Sequence, residues 1–331
     1  MTAVVPAGAA TGIGSLPGTD IAEALRTVFG ELPDLPYLPE LPDRGAGADL
    51  VGRSAGLLVD LPVDLWAGRW RTAARPGRDA RRTADLWARD LDALATVADG
   101  YAGAVKLQCA GPWTLAAGLE RPTGGPVLAD PGAVRDLVAS LAEGLAGHVA
   151  QVRRRVPGAV PLLQLDEPGL PAVLAGQVPT ESGLATLRSV RPEEVRDALR
   201  TVLDAAGVPV VVHCCAPGAP VALLRAAGAA GVALDLDLLP TQLDPLGELL
   251  DGGGVLLAGA VPTTGPVPAE AEVARRVAGL WSVLGFAPAD LPYRVAVTPA
   301  CGLAGNTPAR AWAALAACRD AARRLYDDAR G

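Results

Sequence analysis

Lysine is almost missing from this chain: Lys106 is the only one in 331 residues. Histidine is nearly as rare, with His148 and His213 alone, and the aromatic residues make up 4%. Ala, Gly, Leu, Val and Arg take up the room, a bias read as genomic base composition. No basic stripe is present. The net charge is -7 and the two signs are mixed along the sequence, which argues against a nucleic-acid surface. The strongest basic run, Arg69 to Arg82, reads as a solvated helix start rather than a phosphate clamp. No apolar run of about 18 residues is free of breakers, so no membrane span is expected. The opening MTAVVPAGAA lacks a basic region followed by an apolar one, so no signal peptide is expected either. Five cysteines, with Cys214 and Cys215 adjacent, do not make a disulfide framework. They fit the reduced thiols of a cytoplasmic protein.

Hydrophobic residues make up 50% of the chain. They fall into eight strand-length runs: 11–15, 35–40, 104–110, 160–167, 208–215, 231–237, 254–261 and 293–300. Helical patterns lie between most of them, at 19–30, 80–99, 131–155, 192–206, 218–228, 243–251, 267–284 and 307–328. Asp130-Pro131 and Thr307-Pro308 are helix starts, a cap followed by Pro at the first helical position. Alternating β and α elements imply a parallel sheet with helical crossovers. Eight units in one chain imply a single-domain α/β fold, a (β/α)₈ TIM barrel spanning residues 1–331. A doubly wound open sheet is the competitor, and no G-x-G-x-x-G follows the first strand to support its dinucleotide version. The region at about 41–79, rich in Pro, Gly and Arg and carrying Trp66 and Trp70, reads as an elaborated loop and helix near the barrel mouth. The stretches 120–130 and 176–190 read as further mouth loops.

Polar residues gather toward the carboxyl ends of these strands, where barrels build their active sites. Gly14 and Ser15 end the first, and Lys106 and Gln108 lie in the third. Asp166 and Glu167 end the fourth, His213 to Cys215 the fifth, and Asp235 and Asp237 the sixth. Cys301 follows the eighth. Alternation along a strand puts His213 and Cys215 on one face and Cys214 on the other. An imidazole and a thiolate so placed can reach one metal ion, and zinc suits mixed N/S ligation. A core histidine beside small apolar thiols would show the same three letters. Cys301 adds a third ligand from the same side of the mouth. Asp235 is the preferred fourth ligand, with Asp237 as the alternative of equal parity. Two thiolates leave a bound zinc little net charge, so an incoming substrate thiolate stays nucleophilic. That points to alkylation of sulfur rather than to hydrolysis. Asp166, in a buried setting, needs a partner such as the ammonium of an amino-acid substrate; a loop-capping or Arg-paired carboxylate is the other reading.

Five motifs resemble the C-terminal catalytic half of cobalamin-independent methionine synthase, within the barrel superfamily that includes uroporphyrinogen decarboxylase. They are Gly12-Ile13-Gly14-Ser15, Gly111-Pro112-Trp113-Thr114, Gln164-Leu165-Asp166-Glu167-Pro168, His213-Cys214-Cys215 and Pro299-Ala300-Cys301-Gly302-Leu303. The resemblance runs over nearly the whole chain. It implies a methyltransferase that converts homocysteine to methionine. His213, Cys215 and Cys301 are then zinc ligands, with an acidic residue of the sixth strand as fourth. Asp166 holds the substrate ammonium, and the backbone of Ile13, Gly14 and Ser15 holds its carboxylate. Gln108 and Glu167 are further substrate-binding candidates, and Asp166 and Asp235 are the catalytic ones. The methyl donor is a methyl-folate or a methyl-carrying partner protein. The alternatives are a decarboxylase-like lyase of the same superfamily and a zinc- and thiol-binding barrel without turnover.

The sequence departs from the family in four places. It lacks the long N-terminal barrel. It offers aspartates where the family has a glutamate as fourth ligand. It has Gly52, within Asp49-Leu50-Val51-Gly52-Arg53, opposite a family glutamate that binds homocysteine. It has no histidine in Gly259-Ala260-Val261-Pro262-Thr263-Thr264 after the seventh strand. The remaining histidine, His148, is expected on a helix surface.

Overall fold

The computed structural model describes residues 4–240 and 242–331. The reading of the N-terminus as free of a leader falls partly on residues 1–3, outside the described residues. Among the described residues eight strands form two sheets. An antiparallel hairpin pairs β1 (Val63–Trp66) with β2 (Arg69–Thr72). A curled parallel sheet runs in sequence order through β3 (Gly103–Ala110), β4 (Ala159–Asp166), β5 (Val210–Cys214), β6 (Gly231–Asp235), β7 (Val255–Val261) and β8 (Val295–Pro299).

Twelve α-helices accompany them among the described residues. The first four are α1 (Ile21–Glu31), α2 (Leu50–Ala55), α3 (Arg78–Val97) and α4 (Pro112–Gly118). Next come α5 (Pro131–Arg155), α6 (Leu170–Ala175), α7 (Pro192–Ala205) and α8 (Val221–Ala227). The last are α9 (Asp244–Asp251), α10 (Glu270–Val283), α11 (Leu291–Arg294) and α12 (Pro308–Asp328). Both expected caps are present: Asp130 Oδ1 accepts from the amide of Gly132 at 2.8 Å, and Thr307 Oγ1 from that of Arg310 at 3.3 Å.

Two expected strands, 11–15 and 35–40, are not ladders. They cross the gap between β8 and β3 as isolated parallel bridges: Ala10 with Val297, Ser15 with Glu40, and Tyr37 with Lys106. The regular parallel sheet therefore has six strands where eight were expected. The cause lies in the residues. Pro36 and Pro39 have no N–H to give a ladder, and Gly12 and Gly14 weaken a strand interior.

Alternation sorts the sheet residues between two cores. Leu163, Leu165, Val212 and Leu234 point outward into the larger core beneath the helices. Ile13, Leu35, Leu162, Val211, Ala233, Leu257 and Ala296 form a smaller core inside the curl. Helices present matching stripes: on α5 the buried positions include Leu137, Leu141, Leu145, His148 and Val152, spaced by three and four. His148 is thus buried, which corrects the surface expectation. Its ring meets Trp87 edge-on at 4.7 Å. Burial, reinforced by the charges of Arg53 and Arg155, holds its pKa down at about 3.

The region 41–79 folds as a 3₁₀ turn, α2 and the hairpin. Its Arg69 and Arg71 pair with Glu120 at 3.0 and 2.8 Å, so they are not a free solvated run. Arg44 and Arg53 converge on Asp90 at 2.6 and 2.5 Å, tying α2 to α3.

Candidate metal centre

Parallel pairing aligns the carboxyl ends of the strands and so assembles the site. Ala110 of β3 pairs with Asp166 of β4, and Asp166 with His213 of β5. His213 and Cys215 share a face, as alternation requires. Cys214 points away and is buried. Cys301 follows β8 and brings its sulfur to 3.2 Å from that of Cys215. The nearest ligand atoms of His213, Cys215 and Cys301 all lie within 4.8 Å of one another.

The imidazole is already oriented. His213 Nδ1 lies 3.0 Å from the carbonyl oxygen of Ala233. A proton on Nδ1 donates there and leaves the Nε2 lone pair free. Nε2 is buried and meets no hydrogen-bond partner. A buried polar atom without a partner costs free energy, so a ligand atom aimed at two sulfurs fits a metal well. The neighbouring Cys215 thiol favours the thiolate of Cys301 and lowers its pKa. Sharing a proton with Cys301 pushes Cys215 the other way.

A cavity of about 220 Å³ opens beside the cluster. Ile13, Gly14, Ser15, Glu40, Asp166 and Gly302 line it together with His213, Cys215 and Cys301. Close packing shapes this wall. A Cβ on Gly302 would overlap Ser15 Oγ, and one on Gly14 would come within 2.9 Å of Gln108 Cγ. The amide of Leu303 donates to the Ser15 carbonyl at 2.8 Å, latching the cysteine loop onto the first loop. Asp166 accepts from Gln164 Nε2 at 2.7 Å. Burial raises its pKa to about 6, against the opposing pull of His213 and Lys106.

Glu40 was not identified from the sequence. The stretch 49–53, set opposite the family glutamate, is the helix α2 and its cap. Glu40, at the end of the 35–40 run, is the carboxylate that shares the cavity with Asp166. Burial raises its pKa to about 7, with Arg53 opposing. The signal was available: Glu40, like the other site residues, is a polar side chain at the end of an apolar run.

Other expected site residues serve the scaffold. Glu167 accepts from the amides of Trp113 and Thr114 at 2.9 and 2.7 Å and from Thr114 Oγ1 at 2.8 Å. It holds the start of α4 and does not line the cavity. Gln108 donates to the Leu38 carbonyl at 2.6 Å and accepts from Lys106 at 3.3 Å, so its amide is occupied by the protein. Asp235 Oδ1 accepts from the amide of Asp237 at 2.9 Å, capping a 3₁₀ turn. Asp237 pairs with Arg276 at 2.6 Å. Neither aspartate joins the three-ligand group.

A curled parallel sheet with helical crossovers, carrying a His/Cys/Cys ligand set and a carboxylate-lined cavity at its carboxyl edge, defines an α/β enzyme. The chain belongs to the cobalamin-independent synthase family: the family's catalytic domain matches residues 8–324. Its members are methyltransferases. The chain resembles in fold a B12-independent methionine synthase from Shewanella sp. W3-18-1, solved in complex with selenomethionine. The identity is 13%, covering 97% of this chain and 98% of that one, with a TM-score of 0.65. A putative dihydrodipicolinate synthetase from Pseudomonas aeruginosa aligns at 13% identity over 96% of this chain and 80% of the other, with a TM-score of 0.39. A Cellulomonas fimi endo-β-1,4-mannanase aligns at 18% identity over 70% and 58%, with a TM-score of 0.40. Scores that low carry no functional meaning. No curated protein sequence matches the chain. Among the described residues no helix is long and apolar enough to cross a membrane.

Proposed function

We propose that the chain is a zinc-dependent S-methyltransferase that methylates homocysteine to methionine, working as one cytoplasmic domain. We read its ring as an eight-membered barrel in which the bridged segments 9–16 and 36–40 take the first two places. The observation that carries the proposal is the unpartnered, buried Nε2 of His213 beside the two sulfurs. His213, Cys215 and Cys301 would hold the zinc, and bound zinc would keep an incoming thiol as its thiolate. Asp235 is the candidate for a fourth ligand when substrate is absent, and it would have to leave its cap on the Asp237 amide to serve.

The protein's own groups do the rest. Glu40 and Asp166 offer two carboxylates to the substrate ammonium. The amides of Gly14 and Ser15 have no protein acceptor among the described residues, and they suit the substrate carboxylate. With both ends of the amino acid anchored, its side-chain sulfur faces the cysteines. In the transfer, the S–CH₃ bond forms as the donor–CH₃ bond breaks, and that bond's electron pair leaves with the donor. The donor is a methyl-folate or a methyl-carrying protein.

The cavity wall contains no Arg or Lys. A decarboxylase acting on a polycarboxylate would have no cation to bind there, which favours the methyltransferase over a lyase. Metal analysis with homocysteine titration tests the proposal. The wild type should bind a single zinc and release a proton when homocysteine binds. Cys301→Ser should lose the metal or hold it far more weakly. Full-affinity zinc in that variant removes Cys301 from the ligand set.

A further inference from the structure

The chain's sole lysine is completely buried, although every other cationic side chain is an arginine. Lys106 sits on the inner face of β3, its Nζ 2.7 Å from the carbonyl oxygen of Ile13 and 3.3 Å from Gln108 Oε1. The ammonium also lies 5.1 Å from the centre of the Tyr37 ring. Gln164 Nε2 donates to the same Ile13 oxygen at 2.8 Å and reaches Asp166 with its other contact. The Ile13 carbonyl therefore takes two buried donors.

That carbonyl belongs to the peptide whose N–H is Gly14's. In a trans peptide the C=O and the N–H point in opposite directions. Pinning the oxygen inward on Lys106 and Gln164 turns the Gly14 amide away from them. Gly14 and Ser15 line the cavity, and their amides remain free of protein acceptors among the described residues. An arginine is too large and too planar for this point contact, whereas an ammonium fits it as a compact charge.

We propose that Lys106 is a positioning residue for recognition of the amino-acid end of the substrate. It locks the Ile13 carbonyl so that the Gly14 and Ser15 amides present a carboxylate site. This rests on the proposed binding of homocysteine in the cavity. Lys106 touches neither the sulfur nor the methyl group, so the thiol chemistry proceeds without it.

The test compares two thiols on the metal-loaded full chain: L-homocysteine, and 2-mercaptoethanol, which lacks ammonium and carboxylate. In Lys106→Met the dissociation constant for homocysteine rises about tenfold, the scale expected when a buried hydrogen bond is lost. The constant for 2-mercaptoethanol and the metal content stay at wild-type values. The wild type gives a second readout that needs no variant. Lysine labelled with ¹⁵N at Nζ yields a single side-chain resonance, because there is one lysine. Saturating homocysteine shifts that resonance, and 2-mercaptoethanol leaves it in place. A resonance unmoved by homocysteine overturns the role, as does an equal loss of both thiols in the variant. A wild type that binds 2-mercaptoethanol but not homocysteine overturns the substrate assignment instead, so the two failures are distinguishable.

Discussion

The Nδ1 of His213 lies 3.0 Å from the carbonyl oxygen of Ala233, one strand away in the parallel sheet. Backbone thus fixes the orientation of the imidazole before any ligand arrives, and Nε2 is the atom it presents to the two sulfurs. Such outer contacts on a ligand histidine are worth a substantial part of metal affinity.

His213→Gln should therefore abolish tight metal binding while the sheet remains folded, because the new side chain cannot both reach Ala233 and ligate. Chelator competition gives the affinity and circular dichroism the fold. Loss of about two orders of magnitude in affinity or more is expected. Unchanged affinity would place the metal elsewhere.

Glu40→Gln should weaken homocysteine and spare 2-mercaptoethanol, since only homocysteine carries an ammonium. The pH dependence has a definite sign. Burial raises the Glu40 pKa from 4.5 to about 7, so the carboxylate that attracts an ammonium forms only as the pH rises through that value. Homocysteine affinity in the wild type should climb from pH 6 to 8, and the climb should flatten in Glu40→Gln. For folding the same shift acts in reverse. The folded chain keeps this proton while the unfolded chain releases it near 4.5, so the contribution of Glu40 to stability falls as pH rises from 4.5 to about 7. Calorimetric titration and thermal melts across this range check both slopes.

His148 acts on acid stability. Its pKa of about 3 lies below its ordinary 6.5, so on acidification the unfolded chain takes up a proton that the folded chain refuses. Stability falls as pH drops from 6.5 toward 3. At pH 5 this loss is about 2 kcal/mol at most, at about 1.4 kcal/mol per pH unit. His148→Phe keeps an edge contact to Trp87 and should remove this part of the slope. Urea melts at pH 7 and pH 5 measure it, and an unaltered slope would mean that His148 is not the group responsible.

Asp90 is completely buried and is the shared anion of Arg44 and Arg53. Asp90→Ala leaves the buried guanidinium of Arg53 without its counter-charge, and should cost about 3–5 kcal/mol of unfolding free energy. Chemical denaturation reads this directly. A loss below about 1 kcal/mol would show that water replaces the carboxylate.

How much of this was legible in the sequence depended on whether a residue's role was local. The six regular strands read correctly because strands buried on both faces are continuous apolar runs, as in Val210–Val212 and Val255–Leu257. His213, Cys215 and Cys301 stood out as polar groups at strand ends. The two remaining segments resembled strands in hydropathy, but Pro36, Pro39, Gly12 and Gly14 denied them a ladder. His148 lies on the buried stripe of α5, three residues from Leu145 and four from Val152, and that spacing could have placed it inside. The tasks of Asp235, Gln108 and Glu167 could not be read in advance. Each is committed to a backbone partner whose nearness only the folded chain supplies: Asp237 for the first, Leu38 for the second, and Trp113 and Thr114 for the third.

The latch between Leu303 and Ser15 has a consequence during synthesis. Ser15 is made before the sheet, and Cys301 and Leu303 after its last strand. Until residues 301–305 have left the ribosome, the nascent chain holds one imidazole and one sulfur of the cluster and lacks part of the cavity wall. If His213, Cys215 and Cys301 hold a metal, as proposed, its capture waits for the segment that carries Cys301. A polypeptide halted before residue 301 carries the whole parallel sheet without the second sulfur of the cluster.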